Sequence, residues 1–314
     1  MSNAVSTSST SLSHPATFLP SGSRDLGAFL SANHELIAEA LNAKGAVLFR
    51  DFNVPDPAYF DAAVELYGGE NFAYAKSLSN AVRVNVTPRV FTANEAPPTT
   101  EIFLHHEMAQ TPIYPSKLFF FCEIAAEEGG ATPLCRSDLL VERLEADTPD
   151  LIAAFREKGV RYTNVMPAAD DAGSGQGRSW KSTLSVGSKA DAEARLEDLE
   201  YSWDWQADGS LRVTTPRLDA VRDVGGGRSA FFNQLIAAYR GWSDSRNEAS
   251  RSITYGDGSA IDHDSMMQVI AVADELTYDH AWQAGDVVLV DNYLVMHGRR
   301  PFAGKRRVLA SLLS

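Results

Sequence analysis

The chain has 314 residues, 44% of them hydrophobic and 22% charged, an ordinary globular composition with ample apolar material for a core. Its formal net charge of −13 and pI near 5.0 argue against nucleic acid or anionic membrane as a partner, since both need a basic footprint. A local basic pocket remains compatible with that balance.

Residues 1–22 are small and polar and are expected to form a disordered tail ahead of one domain spanning 23–314. The start from Met1 to Leu12 lacks the basic and apolar regions of a signal peptide, and no run reaches the ~18 apolar residues of a membrane span. Helical spacing of Leu26, Phe29, Leu30, Leu36, Ile37, Ala40 and Leu41 predicts one or two helices over 25–44. A strand follows at 45–52 and a helix at 57–67. Residues 102–109 begin as a strand, 117–124 form an apolar strand, and glycines at 129 and 130 mark a tight turn. Helices are expected at 137–144, 148–158 and 189–199, and strands at 211–214, 229–233, 287–290 and 308–313. Apart from Pro167, residues 167–179 hold no apolar side chain larger than Ala and read as a surface loop, a possible lid within an insert between 163 and 260. Short strands with Gly/Pro turns and a few helices predict a mainly β, jelly-roll core with helical decoration. The two cysteines, Cys122 and Cys135, read as free structural thiols of a reducing cytoplasm.

The most informative pattern is His105-His106-Glu107 with the distant His297. Two histidines and a carboxylate can fill three adjacent corners of an octahedron and leave three open, as non-haem Fe(II) oxygenases require. In a strand, His105 and Glu107 share a face while His106 points away, a packing or supporting residue. His14, His34, His263 and His280 lie in polar or helical surroundings and carry no assigned role.

The segments Gly45–Phe52, Leu104–Met108, Phe119–Glu123, Gly129–Leu134, Phe231–Gln234, Gly285–Val287, Asp291–Asn292 and His297–Arg299, then Phe302, Gly304, Arg306 and Arg307, follow one another in a recognisable order. In that order they resemble the Fe(II)/2-oxoglutarate-dependent dioxygenases of the taurine dioxygenase superfamily, in the clavaminate synthase-like and syringomycin-biosynthesis-type branch that carries H-x-E. The resemblance implies a double-stranded β-helix. It also implies Fe(II), 2-oxoglutarate and O2 as cofactor and co-substrates, and His105, Glu107 and His297 as metal ligands.

The distal carboxylate of 2-oxoglutarate needs a fixed cation, and Arg offers a planar fork that Lys cannot reproduce. Arg307 matches the family's arginine, with Arg306 the competitor, since adjacent strand residues face opposite sides; Thr132 matches the threonine that shares the carboxylate. A Glu at position 107 disfavours halogenation, which needs that ligand position empty. The implied reaction is hydroxylation of an unactivated C–H bond with decarboxylation of 2-oxoglutarate to succinate. Desaturation, cyclisation and a non-catalytic metal-binding jelly roll are the alternatives, and a Zn-dependent hydrolase fits poorly because its histidines usually stand at helical spacing. Ser311 stands where many relatives carry an arginine for an anionic substrate. Glu101 is a candidate for binding a substrate amine and Arg299 for the pocket rim. An amino acid or a carrier-tethered aminoacyl group is therefore the expected substrate, and carrier protein a possible partner.

Overall fold

From Leu118 to Cys122 every residue is apolar, so a strand here must be covered on both faces. The computed structural model, which describes residues 13–74, 77–79, 83–93, 96–170, 177–241 and 252–314 and the backbone of 243–244 and 247–248, provides that cover. Lys117–Ile124 lies inside a six-stranded sheet of order Ala16–Phe18, Ala46–Phe49, Val287–Asp291, Lys117–Ile124, Arg307–Leu313 and Phe91–Thr92. A second sheet runs Tyr278–His280, Thr132–Arg136, Val295–Arg299 and Ile102–His105.

The chain alternates between these sheets. It passes from 102–105 to 117–124 and back to 132–136, then after a long excursion from 278–280 to 287–291, 295–299 and 307–313. Two sheets linked this way, antiparallel throughout except for the edge strand Ala16–Phe18, form the double-stranded β-helix. Side-chain alternation divides the apolar residues accordingly. Leu118, Phe120 and Cys122 pack between the sheets with Leu134, Val288, Val290, Val295 and Val308. Phe119 and Phe121 point the other way, into a layer shared with Phe60 and Val64 of the helix Pro57–Tyr67 and with Leu30, Ile37 and Leu41. Both cysteines are free and buried, and burial pushes each thiol up to about 12.

The excursion from 137 to 277 is wider than the expected 163–260. It holds the helices Ser137–Asp147 and Pro149–Lys158 and a sheet of order Ile253–Tyr255, Val160–Met166, Leu211–Thr214 and Ser202–Trp205. The strand expected at 229–233 stops at Ala230, paired in a hairpin with Arg222–Gly225, which frees Asn233 and Gln234 to turn toward the second sheet. Helix His263–Leu276, absent from the periodicity reading, buries Met266, Val269, Ile270 and Ala273. Residues 171–176 of the expected lid lie outside the described residues. Among the described residues, no helix is long and apolar enough to cross a membrane.

The expected tail must be corrected from residue 13 onward. Ala16–Phe18 pairs in parallel with Val47–Phe49, and Phe18 is buried against Phe29 and Phe49. Local composition cannot show this, because the partner strand lies thirty residues on. Phe18→Ala should therefore cost about 3–5 kcal/mol in a denaturant titration, as other buried Phe truncations do; a cost under ~1 kcal/mol, the range of surface changes, would mean the segment is not docked.

Candidate functional site

The site begins with register. Val295–Arg299 pairs with Thr132–Arg136 on one side and Ile102–His105 on the other, placing His297 directly across from His105, their rings 4.4 Å apart. Gly298 is what permits so close a pairing: a Cβ there would stand 2.3 Å from the Ile102 carbonyl oxygen. Phe120 closes the back of the site, its ring 5.3 Å from that of His297.

Glu107 arrives differently from the expected strand geometry. The strand ends at His105, and Glu107 lies in the following turn, where Met108 takes a left-handed backbone angle (φ 60°). Asn292 holds this turn: its Oδ1 accepts from the Glu107 N–H at 2.8 Å, and its Nδ2 donates to the carbonyls of Glu107 (3.0 Å) and Pro115 (2.8 Å). His106 points away, as expected, into a buried site where Nδ1 donates to the Asn292 carbonyl at 2.5 Å and Nε2 meets the Ser137 hydroxyl at 2.9 Å. Gln234 donates to the His106 carbonyl at 3.0 Å. Asn292 and Gln234 were visible only as members of matching segments; nothing local to them signalled a clamp.

The three side chains offer donor atoms within 4.8 Å of one another, the one such group among the described residues. Glu107 Oε2 lies 3.9 Å from His105 Nε2 and 3.6 Å from His297 Nε2. With metal–donor distances of about 2.1 Å, adjacent donors of an octahedral ion stand roughly 3 Å apart, so modest closure suffices. The chemistry of the donors also fits. His105 Nδ1 donates to the Phe103 carbonyl at 2.8 Å, which leaves the Nε2 lone pair directed at Glu107. Burial and the neighbouring His297 push the His105 imidazole down to about 4, so it is neutral. Burial would raise the Glu107 carboxyl, but the Arg83 guanidinium beside it holds it well below the usual carboxylate range. Imidazole nitrogens together with an ionised carboxylate suit Fe(II).

A recess opens beside these three groups, lined by Ile102, Phe120, Thr132, Arg299, Arg306 and Val308 among others, with about 440 Å³ of free space out to its mouth. Thr132 is buried, and its Oγ1 accepts from Trp282 Nε1 at 2.9 Å, which frees the hydroxyl proton to donate into the recess.

The arginine expectation is corrected here. Arg306 lines the recess, while Arg307 points out, 41% exposed and ion-paired with Glu123. The register shifts at this point: Arg307 pairs with Ile124 but Val308 with Cys122, leaving Glu123 as an extra residue whose carboxylate takes Arg307. Arg306 Nε donates to the Gly130 carbonyl at 3.0 Å, and burial together with nearby Arg299 pushes its guanidinium down to about 10. Counting four residues from Arg306 gives Ala310, packed between the sheets, whereas Ser311 faces the helical layer between Leu309 and Leu313. The recess therefore lacks an arginine at that step by a different residue from the one expected.

The two substrate candidates are also partly engaged. Glu101 is held by Arg300 at 2.5 Å and does not line the recess. Arg299 lines it but spends its terminal nitrogens on the carbonyls of Ala96 (3.0 Å), Pro97 (2.7 Å) and Thr100 (2.8 Å), clamping that loop.

Comparison with known proteins agrees with this geometry. Residues 15–313 match the model of the taurine catabolism dioxygenase TauD, TfdA family. A clavaminate synthase-like protein of Arabidopsis thaliana is 38% identical over 309 residues, covering 98% of this chain and 92% of that protein. The dapdiamide synthesis protein DdaC of Enterobacter agglomerans is 27% identical over 292 residues, covering 90% and 85%. Among solved structures, PvcB, an Fe, alpha-ketoglutarate-dependent oxygenase from an isonitrile synthetic pathway of Pseudomonas aeruginosa, shares the fold with a TM-score of 0.54 at 13% identity, covering 95% of this chain and 85% of that one. The chain belongs to the TauD/TfdA family and is an Fe(II)/2-oxoglutarate-dependent dioxygenase.

Proposed function

We propose that the protein hydroxylates an unactivated C–H bond of an amino acid or carrier-tethered aminoacyl substrate in secondary metabolism, with decarboxylation of 2-oxoglutarate to succinate. The observation that carries the reaction type is the complete ligand set: Glu107 occupies the position a halogenating enzyme would leave to halide, and Thr132 and Arg306 line the same recess. Bound Fe(II) supplies the oxidising chemistry with 2-oxoglutarate and O2. The residues of this chain supply the rest. His105, Glu107 and His297 hold the ion. The Thr132 hydroxyl and the Arg306 fork bind the distal carboxylate of 2-oxoglutarate. Phe120, Ile102 and Val308 line the walls with apolar surface that limits water beside the reacting carbon.

DdaC, matched over most of both chains, is a synthesis protein for a secondary metabolite by its name, and this supports a biosynthetic substrate. With no arginine at Ala310, a tethered aminoacyl group, which has no free carboxylate, fits the inner wall. The substrate amine does not find a free Glu101, whose carboxylate is already paired with Arg300. The two buried, unpaired thiols fit the expected cytoplasmic location.

Two measurements test this reading. A screen of free and carrier-loaded amino acids should find one that stimulates succinate release and gains one oxygen atom by mass; loss of two hydrogens instead would assign desaturation or cyclisation. Glu107→Ala should abolish the coupled turnover. For the co-substrate, Arg306→Ala should weaken 2-oxoglutarate binding about 10- to 100-fold, the ~1.5–3 kcal/mol of a charge-assisted bond, and Arg307→Ala should change it less than ~2-fold. The reverse ranking in anaerobic titrations would return the role to Arg307.

A further inference from the structure

The metal triad uses one oxygen of Glu107, and the other is taken. While Oε2 faces both imidazoles, Oε1 accepts from Arg83 Nη2 at 3.0 Å, both side chains being more than nine-tenths buried. Arg83 comes from outside the second sheet altogether. It begins a small hairpin in which Asn85 bridges Phe91, and Phe91–Thr92 is the edge strand beside Arg307–Leu313. Its guanidinium also donates to the Ala93 carbonyl and lies over the rings of Tyr74 (5.1 Å) and Phe91 (5.5 Å). Placed over two aromatic rings and tied to a backbone carbonyl, it has little freedom to follow a moving carboxylate.

We propose that Arg83 is a positioning residue for the metal site: it holds Glu107 Oε1 so that the carboxylate ligates through Oε2 alone. A carboxylate can bind an ion through one oxygen or both. If both bound, Glu107 would fill a coordination position that 2-oxoglutarate or O2 needs, since the three protein ligands must leave three corners open. No other acidic side chain takes Arg83 as a partner among the described residues, so the pair is specific.

The hold extends into the insert. Arg178, inside the 167–179 segment expected as a lid, lies 5.8 Å from the Tyr74 ring. It donates to the carbonyls of Ser79 (2.6 Å) and Ser182 (2.6 Å), tying the short helix Trp180–Leu184 to the segment that leads into Arg83. Arg178 of the insert and Arg83 thus share the Tyr74 ring.

This inference rests on the metal triad and not on the proposed substrate. It is tested with Co(II) under argon in the full-length protein, reading affinity and the visible ligand-field spectrum, with circular dichroism to confirm folding. Arg83→Met should lower Co(II) affinity about 10- to 100-fold, the usual effect of losing a partner behind a ligand, and should alter the spectrum as Glu107 changes its binding mode. Arg83→Lys keeps the charge but not the fork between Ala93 and Glu107, so it should recover the affinity in part while the spectrum stays altered. In a Glu107→Gln background, Arg83→Met should have no further effect, because the coupling partner is gone. Wild-type affinity and spectrum in both folded variants would overturn the proposal, and Arg83→Lys decides alone if Arg83→Met does not fold. Failure of the wild-type protein to bind Co(II) would instead indict the triad itself.

Discussion

Everything chemical in this protein depends on the register of one strand. Val295–Arg299 is hydrogen-bonded on both sides, and that pairing sets His297 opposite His105. Because side chains alternate with period two, a slip of one residue would turn His297 out of the recess and bring Met296 or Gly298 in. The register is defended at both ends. Gly298 lets the Ile102 carbonyl approach where any side chain would block it, and Asn292, just upstream, bonds three backbone groups of the 107–115 segment. The three proposed metal ligands are thus fixed by backbone hydrogen bonds and close strand contact, and little is left to side-chain packing alone.

The strands of the core were largely legible. Lys117–Ile124 and Leu211–Thr214 have the bounds that apolar runs and turn residues suggest, and the helix at 57–67 is bracketed by its own capping residues, Asp56 and Gly68. The choice between Arg306 and Arg307 was not legible. Alternation identifies an inward face only when one face is polar, and the strand from Val308 to Leu313 is buried on both. The extra residue at Glu123 then changes which arginine meets the recess, and a bulge of this kind leaves no mark in the sequence of the strand it displaces. Arg83 was missed for a simpler reason: its partner is 24 residues away, in the turn after Ile102–His105, and an isolated arginine carries no periodic signal.

Net charge was a poor guide to the site. A chain of −13 gathers Arg83, Arg299 and Arg306 around one recess that no acidic side chain lines among the described residues, Glu107 standing behind it against Arg83. The acidic excess therefore lies elsewhere. A dianionic co-substrate needs this local inversion, and composition averages it away. The three guanidiniums are not interchangeable. Arg299 is spent on backbone carbonyls and Arg83 on Glu107, which leaves Arg306, with one nitrogen on Gly130, as the cation whose terminal groups remain for a ligand.

The same constraints explain why the third ligand is glutamate. Its backbone cannot move toward the histidines, because Asn292 grips both its N–H and its carbonyl, and the strand has already ended at His105. The side chain must span the remaining gap, presenting Oε2 to two imidazoles and Oε1 to Arg83 at the same time. Aspartate carries the same charge but is shorter by one carbon–carbon bond, about 1.5 Å. From this fixed backbone it could satisfy the imidazoles or the guanidinium, but not both. The H-x-E spacing is thus a consequence of where the strand stops and what clamps the turn after it. The identity of the metal does not by itself require it.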